Sequence, residues 1–163
     1  MNKFFFLFGF FSILIACDSN RIFDEYVSIE NSKWGKEDTI TFNLNVSDTI
    51  SAQNLFINIR NNNDYKYSNI FIITEILAPN QFTTIDTLEY EMADETGKWL
   101  GTGFSDLKEN KLFFKENYVF QKSGKCDIKV IHAMRKSKET GGLETLEGII
   151  SVGFRIESVN KKQ

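Results

Sequence analysis

Apolar and polar residues alternate along most of this chain, with the period of two that a half-buried β-strand imposes. Ile40, Phe42, Leu44 and Val46 are separated by Thr41, Asn43 and Asn45. Leu55, Ile57 and Ile59 repeat the pattern and run into Asn61-Asn62-Asn63-Asp64, side chains that mimic turn hydrogen bonds and tolerate left-handed backbone. Ile70 to Leu77 is more continuously apolar, which predicts a strand covered on both faces. Pro79-Asn80 pairs a fixed φ with a residue tolerant of positive φ, the makings of a tight turn. In the next segment Leu88, Tyr90 and Met92 share the face predicted to meet the core, in line with Thr84 and Asp86, while Ile85, Thr87, Glu89 and Glu91 lie opposite. Residues 111–115, 125–133 and 148–158 are further strands, and Asp106 to Lys111 is predicted to form one helical turn. Patterning is weaker over Ile22 to Lys33, which reads as a linker. Short strands punctuated by turns predict an all-β fold, a single antiparallel β-sandwich of roughly 7–9 strands. The domain is placed at residues 34–158, followed by a tail at 159–163.

The first residues follow a different logic. Met1-Asn2-Lys3 is short and positively charged, and Phe4 to Ile15 is an apolar run interrupted only by Gly9 and Ser12. Such a run is too short for a permanent span, which needs about 20 apolar residues. It has the length of a signal-peptide hydrophobic region. Leu14-Ile15-Ala16-Cys17 then has the form of a lipobox, with aliphatic and small residues before the cysteine whose thiol takes the lipid. Residues 1–16 are accordingly expected to be cleaved, leaving Cys17 as an N-terminus with covalent diacylglyceryl and N-acyl groups, and 17–33 as the lipidated tether. Each buried methylene contributes about 0.8 kcal/mol and one chain binds only reversibly, so several chains are needed for stable anchoring. The expected location is the cell envelope, facing the periplasm, with the outer membrane favoured over the inner. Asp18 is ambiguous on this point, because in enterobacteria an aspartate there retains lipoproteins at the inner membrane.

Charge and composition narrow the chemistry. A net charge of −3 without a basic stripe argues against a nucleic-acid partner. With Cys17 carrying lipid, Cys126 has no partner for an intramolecular disulfide and reads as a small buried hydrophobe. Stability must then come from a core, for which the 42% hydrophobic content is sufficient. His132 is the only histidine and ends the row Cys126, Ile128, Val130, His132 on one strand face, a structural position rather than that of a base. Metal sites of histidine and cysteine need more ligands than these two. No phosphate-binding loop, nucleophile elbow or His-Glu-x-x-His is present. Glu89 and Glu91 are two apart on one face, a spacing seen among glycosidase acids but read here as a solvated outer face. The chain is read as a non-enzyme, with no metal, no cofactor beyond its lipid, and no small-molecule substrate.

The most distinctive local segment is Asp94-Glu95-Thr96-Gly97-Lys98-Trp99-Leu100-Gly101-Thr102-Gly103. Its glycines permit positive φ or close backbone approach. Trp99 has three candidate roles: stacking on a sugar, anchoring a protein partner, or plugging the end of the sandwich. Phe113 and Phe114 face opposite sides of one strand, so one is exposed. Together with Gly97, Lys98, Trp99, Gly101 and Gly103 they form the candidate interaction surface.

Leu88-Glu89-Tyr90-Glu91-Met92-Ala93-Asp94 running into Gly97-Lys98-Trp99-Leu100-Gly101-Thr102-Gly103 resembles the GldH family of gliding-motility lipoproteins. The resemblance continues through Lys108-Glu109-Asn110-Lys111, His132-Ala133-Met134-Arg135, Leu146-Glu147-Gly148-Ile149 and Val152-Gly153-Phe154-Arg155-Ile156-Glu157. It implies an envelope lipoprotein of Bacteroidetes, required for gliding over surfaces and bound up with type IX secretion, whose partners are other proteins of that machinery. It implies no catalytic residue; the one residue with a chemical role is the lipidated cysteine, here Cys17. One departure is Cys126, where an aromatic or other apolar strand residue is expected. The alternative function is a lipid-anchored carbohydrate-binding module built on Trp99.

Overall fold

A computed structural model describes residues 20–135 and 141–159. Cys17, Asp18, the signal peptide and residues 160–163 lie outside the described residues. Ten strands occur among the described residues: β1 (Arg21–Ser28), β2 (Lys33–Gly35), β3 (Ile40–Val46), β4 (Gln53–Asn61), β5 (Asn69–Leu77), β6 (Thr83–Glu91), β7 (Lys108–Tyr118), β8 (Gly124–His132), β9 (Thr145–Glu147) and β10 (Ile149–Ser158). They form a four-stranded sheet I in the order β1-β10-β4-β7, a four-stranded sheet II in the order β3-β8-β5-β6, and a small β2-β9 ribbon. All pairings are antiparallel, and sheets I and II face each other as a sandwich.

Alternation builds the core. Ile40, Phe42 and Leu44 turn inward from β3, and Cys126, Ile128, Val130 and His132 from β8. They meet Leu55, Ile57 and Ile59 of β4 and Val152, Phe154 and Ile156 of β10. The Phe42 and Phe154 rings lie 5.9 Å apart. Fully burying one such side chain is worth about 1.5–3 kcal/mol, whereas an exposed ion pair is worth at most about 1; packing therefore holds this fold. Cys126 is fully buried and its thiol is pushed up to about 11 by burial and by the Asp127 carboxylate. The departure at this position leaves the core intact. At one end Trp34, from the β2-β9 ribbon, caps the core and meets His132 edge-on at 5.4 Å.

Four expectations are corrected. The linker over Ile22 to Lys33 is largely structured: Arg21–Ser28 is an edge strand of sheet I, followed by a short 3-10 turn at Glu30–Ser32 and by β2. Its alternation is masked because Asp24 and Glu25 are both charged, and Asp24 faces Arg155 of β10 at 2.8 Å. β5 is covered on its inner face only, with Phe71, Ile73, Glu75 and Leu77 half-buried on the outside. β4 is buried on both faces in its middle, where Phe56 and Asn58 of the outer face are 4% and 1% exposed, and so is β10 from Ser151 to Phe154. Phe113 and Lys111 cover Phe56, at 4.4 Å and 4.1 Å. Asp106 to Lys111 forms no helical turn: β7 begins at Lys108, whose ammonium donates to the Ser105 and Gly103 carbonyls. In the β5–β6 hairpin the positive φ falls on Gln81, one residue beyond Asn80.

Tyr26 secures β1. Its ring lies against Gly153 of the neighbouring strand, where an added Cβ would sit 2.7 Å from the ring. Across that gap its hydroxyl donates to Glu109 Oε1 of β7 and accepts from Asn58 Nδ2 of β4, both at 2.8 Å. Arg60 stacks on the ring at 3.9 Å and donates to Glu109 Oε2 at 2.7 Å. Burial and the Glu109 hydrogen bond push the phenol up to about 12, so it stays protonated and able to donate.

Two measurements check this fold. Tyr26→Phe leaves the buried Asn58 amide without its acceptor and is expected to cost about 1–3 kcal/mol. Gly153→Ala crowds the ring and is expected to cost a similar amount, about 1–3 kcal/mol. Chemical denaturation of both variants checks these values; wild-type stability in either would contradict the clamp. His132 supplies the second. Burial holds its pKa below the ordinary value of about 6.5, against weaker opposing pulls from the Trp34 backbone and Asp38. The unfolded chain therefore binds the extra proton. The contribution is complete above about pH 6.5 and is lost as pH falls from there through the folded value, no faster than about 1.4 kcal/mol per unit. Denaturation between pH 8 and pH 5 should show this slope, and His132→Gln should flatten it.

Candidate functional site

The segment between β6 and β7 folds as two consecutive small hairpins. In the first, Asp94 N–H donates to the Lys98 carbonyl and Gly97 N–H to the Asp94 carbonyl, both at 2.9 Å. This is a three-residue loop whose last position needs left-handed backbone, and Gly97 occupies it at φ +82°. Asp94 Oδ1 accepts from the Thr96 N–H, the Thr96 hydroxyl and the Lys98 N–H, and these hydrogen bonds hold its carboxyl below the ordinary carboxylate range. In the second hairpin, Thr102 and Glu109 exchange backbone hydrogen bonds of 2.9 and 2.7 Å. At Gly103, with φ +151°, a Cβ would sit 2.2 Å from the Leu107 carbonyl oxygen. Gly101 has no positive φ; a Cβ there would meet the side chain of Asn110 at 2.7 Å.

These hairpins are fastened to the body. Asn63 Nδ2 donates to Asp106 Oδ1 at 2.9 Å. Trp99 pairs with Ala93, is half-buried, and stacks obliquely on Tyr65 at 6.1 Å. Of its three candidate roles, the packing matches the plug. Gly97 and Lys98 stand exposed at the first tip.

The candidate surface does not come together as one patch. Phe114 points inward and is 7% exposed, so it belongs to the core and leaves the candidate surface. Phe113 is exposed, but on the outer face of sheet I against Phe56, away from the loop. The apolar groups that the loop does present were not singled out from the sequence. They are Leu100 (53% exposed), Leu107 (40%) and above all Phe104 (95%). A signal for Phe104 existed: an aromatic between Gly103 and Ser105-Asp106 sits in a turn, with no strand neighbour to cover it.

The titratable candidates are dispersed. Glu89 and Glu91 lie on the exposed outer face of β6, where Glu89 Oε1 accepts from Asn69 Nδ2 at 2.7 Å. His132 and Cys126 are enclosed in the core. Among the described residues no three His, Cys, Asp or Glu side chains gather in a way that could hold a metal ion.

The GldH lipoprotein family matches residues 21–156. A gliding motility lipoprotein GldH homolog of Christiangramia forsetii is 50% identical over 153 residues, covering 93% of each chain. The gliding motility lipoprotein GldH of Flavobacterium johnsoniae is 47% identical over 145 residues, covering 89% of each. Among solved structures, the VP2 subviral particle of infectious bursal disease virus has a TM-score of 0.41 at 18% identity, over 86% of this chain and 33% of that one. The family match begins at β1 and ends in β10, so it takes in both strands that tie the N-terminus to sheet I. This chain belongs to the GldH lipoprotein family.

Proposed function

We propose that this protein is a lipid-anchored, non-enzymatic component of the gliding apparatus that supports assembly or stability of the associated type IX secretion machinery. The anchor is diacylglyceryl and N-acyl lipid on Cys17, on the periplasmic side of the envelope, with the outer membrane favoured. The names of its two relatives support the gliding role. The single structural observation behind the contact role is the placement of Phe104, 95% exposed on a braced hairpin. A bare aromatic on a fixed turn suits an anchor that fills a partner's pocket. β1 starts at the end of the sandwich opposite this hairpin.

A carbohydrate-binding module is the weaker reading. Sugar stacking needs an open ring face, whereas Trp99 packs on Tyr65. Glu89 and Glu91 lie on an exposed outer strand face, which speaks for the non-enzymatic reading over a hydrolase.

Two outcomes are expected. Leu100→Ser with Phe104→Ser should leave stability within about 0.5 kcal/mol, as for ordinary surface changes, while abolishing spreading and reducing export through the type IX secretion machinery. Normal spreading by a strain carrying only this variant would remove the hairpin from the mechanism. Cys17→Ala should move the protein from the membrane fraction to the soluble fraction on cell fractionation; retention in membranes would contradict the anchor.

A further inference from the structure

We propose that the end of the sandwich at which β1 begins is a bilayer-contacting face, with Ile50 and Phe82 seated in the headgroup–acyl boundary of the membrane that holds Cys17. The proposal rests on the lipid anchor inferred above.

Strand register brings these groups to one end. Asn20 accepts from the Ser158 N–H at 2.8 Å, and Ser158 pairs with Gln53, which pairs with Tyr118. The 47–52 loop joins β3 to β4 at this end. In sheet II, Val46 pairs with Gly124, and Leu77 with both Asp127 and Thr83. Pro79 lies 3.2 Å from the position a Cβ would take on Gly124. The 47–52 loop, the 78–82 hairpin, the 119–123 loop and the start of β1 therefore crown the same end.

That end is apolar at its tips. Ile50 is 88% exposed, Phe82 66% and Ile22 54%. Both loops are braced by side chains. Asp48 Oδ1 accepts from the Ile50 and Ser51 N–H groups at 2.8 and 2.9 Å, and Asn80 Oδ1 accepts from the Phe82 N–H at 3.2 Å. The apolar residues are thus held out in water, where exposure is unfavourable. Apolar surface continues between the loops. A groove of about 340 Å³ lined by Ile22, Phe23, Leu44 and Ile156, and another of about 270 Å³ lined by Pro79, Phe82 and Tyr118, both reach Phe120.

Chain length selects the occupant. Asn20 is three residues after Cys17, and three extended residues span at most about 11 Å. The headgroup region is itself about 5–7 Å thick on each side. With the lipid chains of Cys17 in the bilayer, Asn20 and the loops beside it are held at the lipid surface, where exposed aliphatic and aromatic tips partition favourably. Lys122, exposed beside the second groove, has the stem length to keep its ammonium among headgroups.

The experiment uses the full lipidated protein in vesicles of phosphatidylethanolamine and phosphatidylglycerol, with and without brominated phosphatidylcholine. Ile50→Trp and Phe82→Trp each add a reporter, Phe104→Trp is the far-end control, and the unsubstituted protein supplies the Trp34 and Trp99 background. Flotation reads the anchor independently of the reporters. The expected result is flotation of all four proteins, with blue-shifted emission and bromine quenching at positions 50 and 82 only. Flotation with unquenched, water-like emission at 50 and 82 overturns the contact face and leaves the anchor standing. Blue-shifted but unquenched emission that grows with protein density assigns the face to a second copy and also overturns it. Failure to float overturns the anchor reading and this proposal with it.

Discussion

Tyr26 can lie against β10 only because residue 153 has no side chain, and the seating of β1 follows from that contact. An edge strand has one neighbour and half the ladder hydrogen bonds of a central one. β1 compensates with side-chain contacts: the Tyr26 hydroxyl reaches past its neighbour to β4 and β7, and Asp24 pairs with Arg155 of β10, which also donates to Glu157. Lys111 of β7 donates to the same Glu157 carboxylate at 2.6 Å. The outer face of sheet I is thereby laced from one edge to the other. These contacts fix β1 to the body of the sandwich.

The rest of the molecule is organised along the axis this sets. Short connections gather at the end where β1 begins, and the longest excursion, from β6 to β7, folds into hairpins at the other. Between them lies a core that depends on no disulfide, since Cys126 is buried with its thiol protonated. The side of the sandwich between edges β6 and β7 is closed by the Tyr90 hydroxyl donating to the Phe113 carbonyl and by the Lys115–Asp86 ion pair at 2.9 Å. The polar contacts close edges and brace turns; apolar burial supplies the stability.

Much of this fold was legible in the alternation itself. β3, the inner face of β8 and the Leu88-Tyr90-Met92 face of β6 are placed as the period of two predicts. The pattern failed where a strand's outer face departs from the polar rule. β4 carries Phe56, which Phe113 and Lys111 cover, and β5 carries Phe71 and Ile73, which no third layer covers. Local pattern cannot tell these apart, because cover is a long-range property. β1 escapes the pattern for a related reason: Arg155, which pairs with the Asp24 carboxylate, and Glu109, which accepts from the Tyr26 hydroxyl, both lie far along the chain. Of the candidate surface, Gly97 and Lys98 stand at the loop end, Trp99 packs inward and Phe114 is core, while the most exposed aromatic of the loop is Phe104. Exposure at a turn is decided by what the turn fails to touch, and sequence records only what is adjacent.

In the function proposed above, a rigid β-sandwich is held to a membrane through Cys17, three residues before Asn20. Mass spectrometry of the N-terminal peptide of the mature protein from its native envelope tests this most directly. The expected product is a chain that starts at Cys17 and carries a thioether-linked diacylglyceryl group and an amide-linked acyl chain. An unmodified Cys17 thiol, or a mature chain that retains Met1, would contradict it.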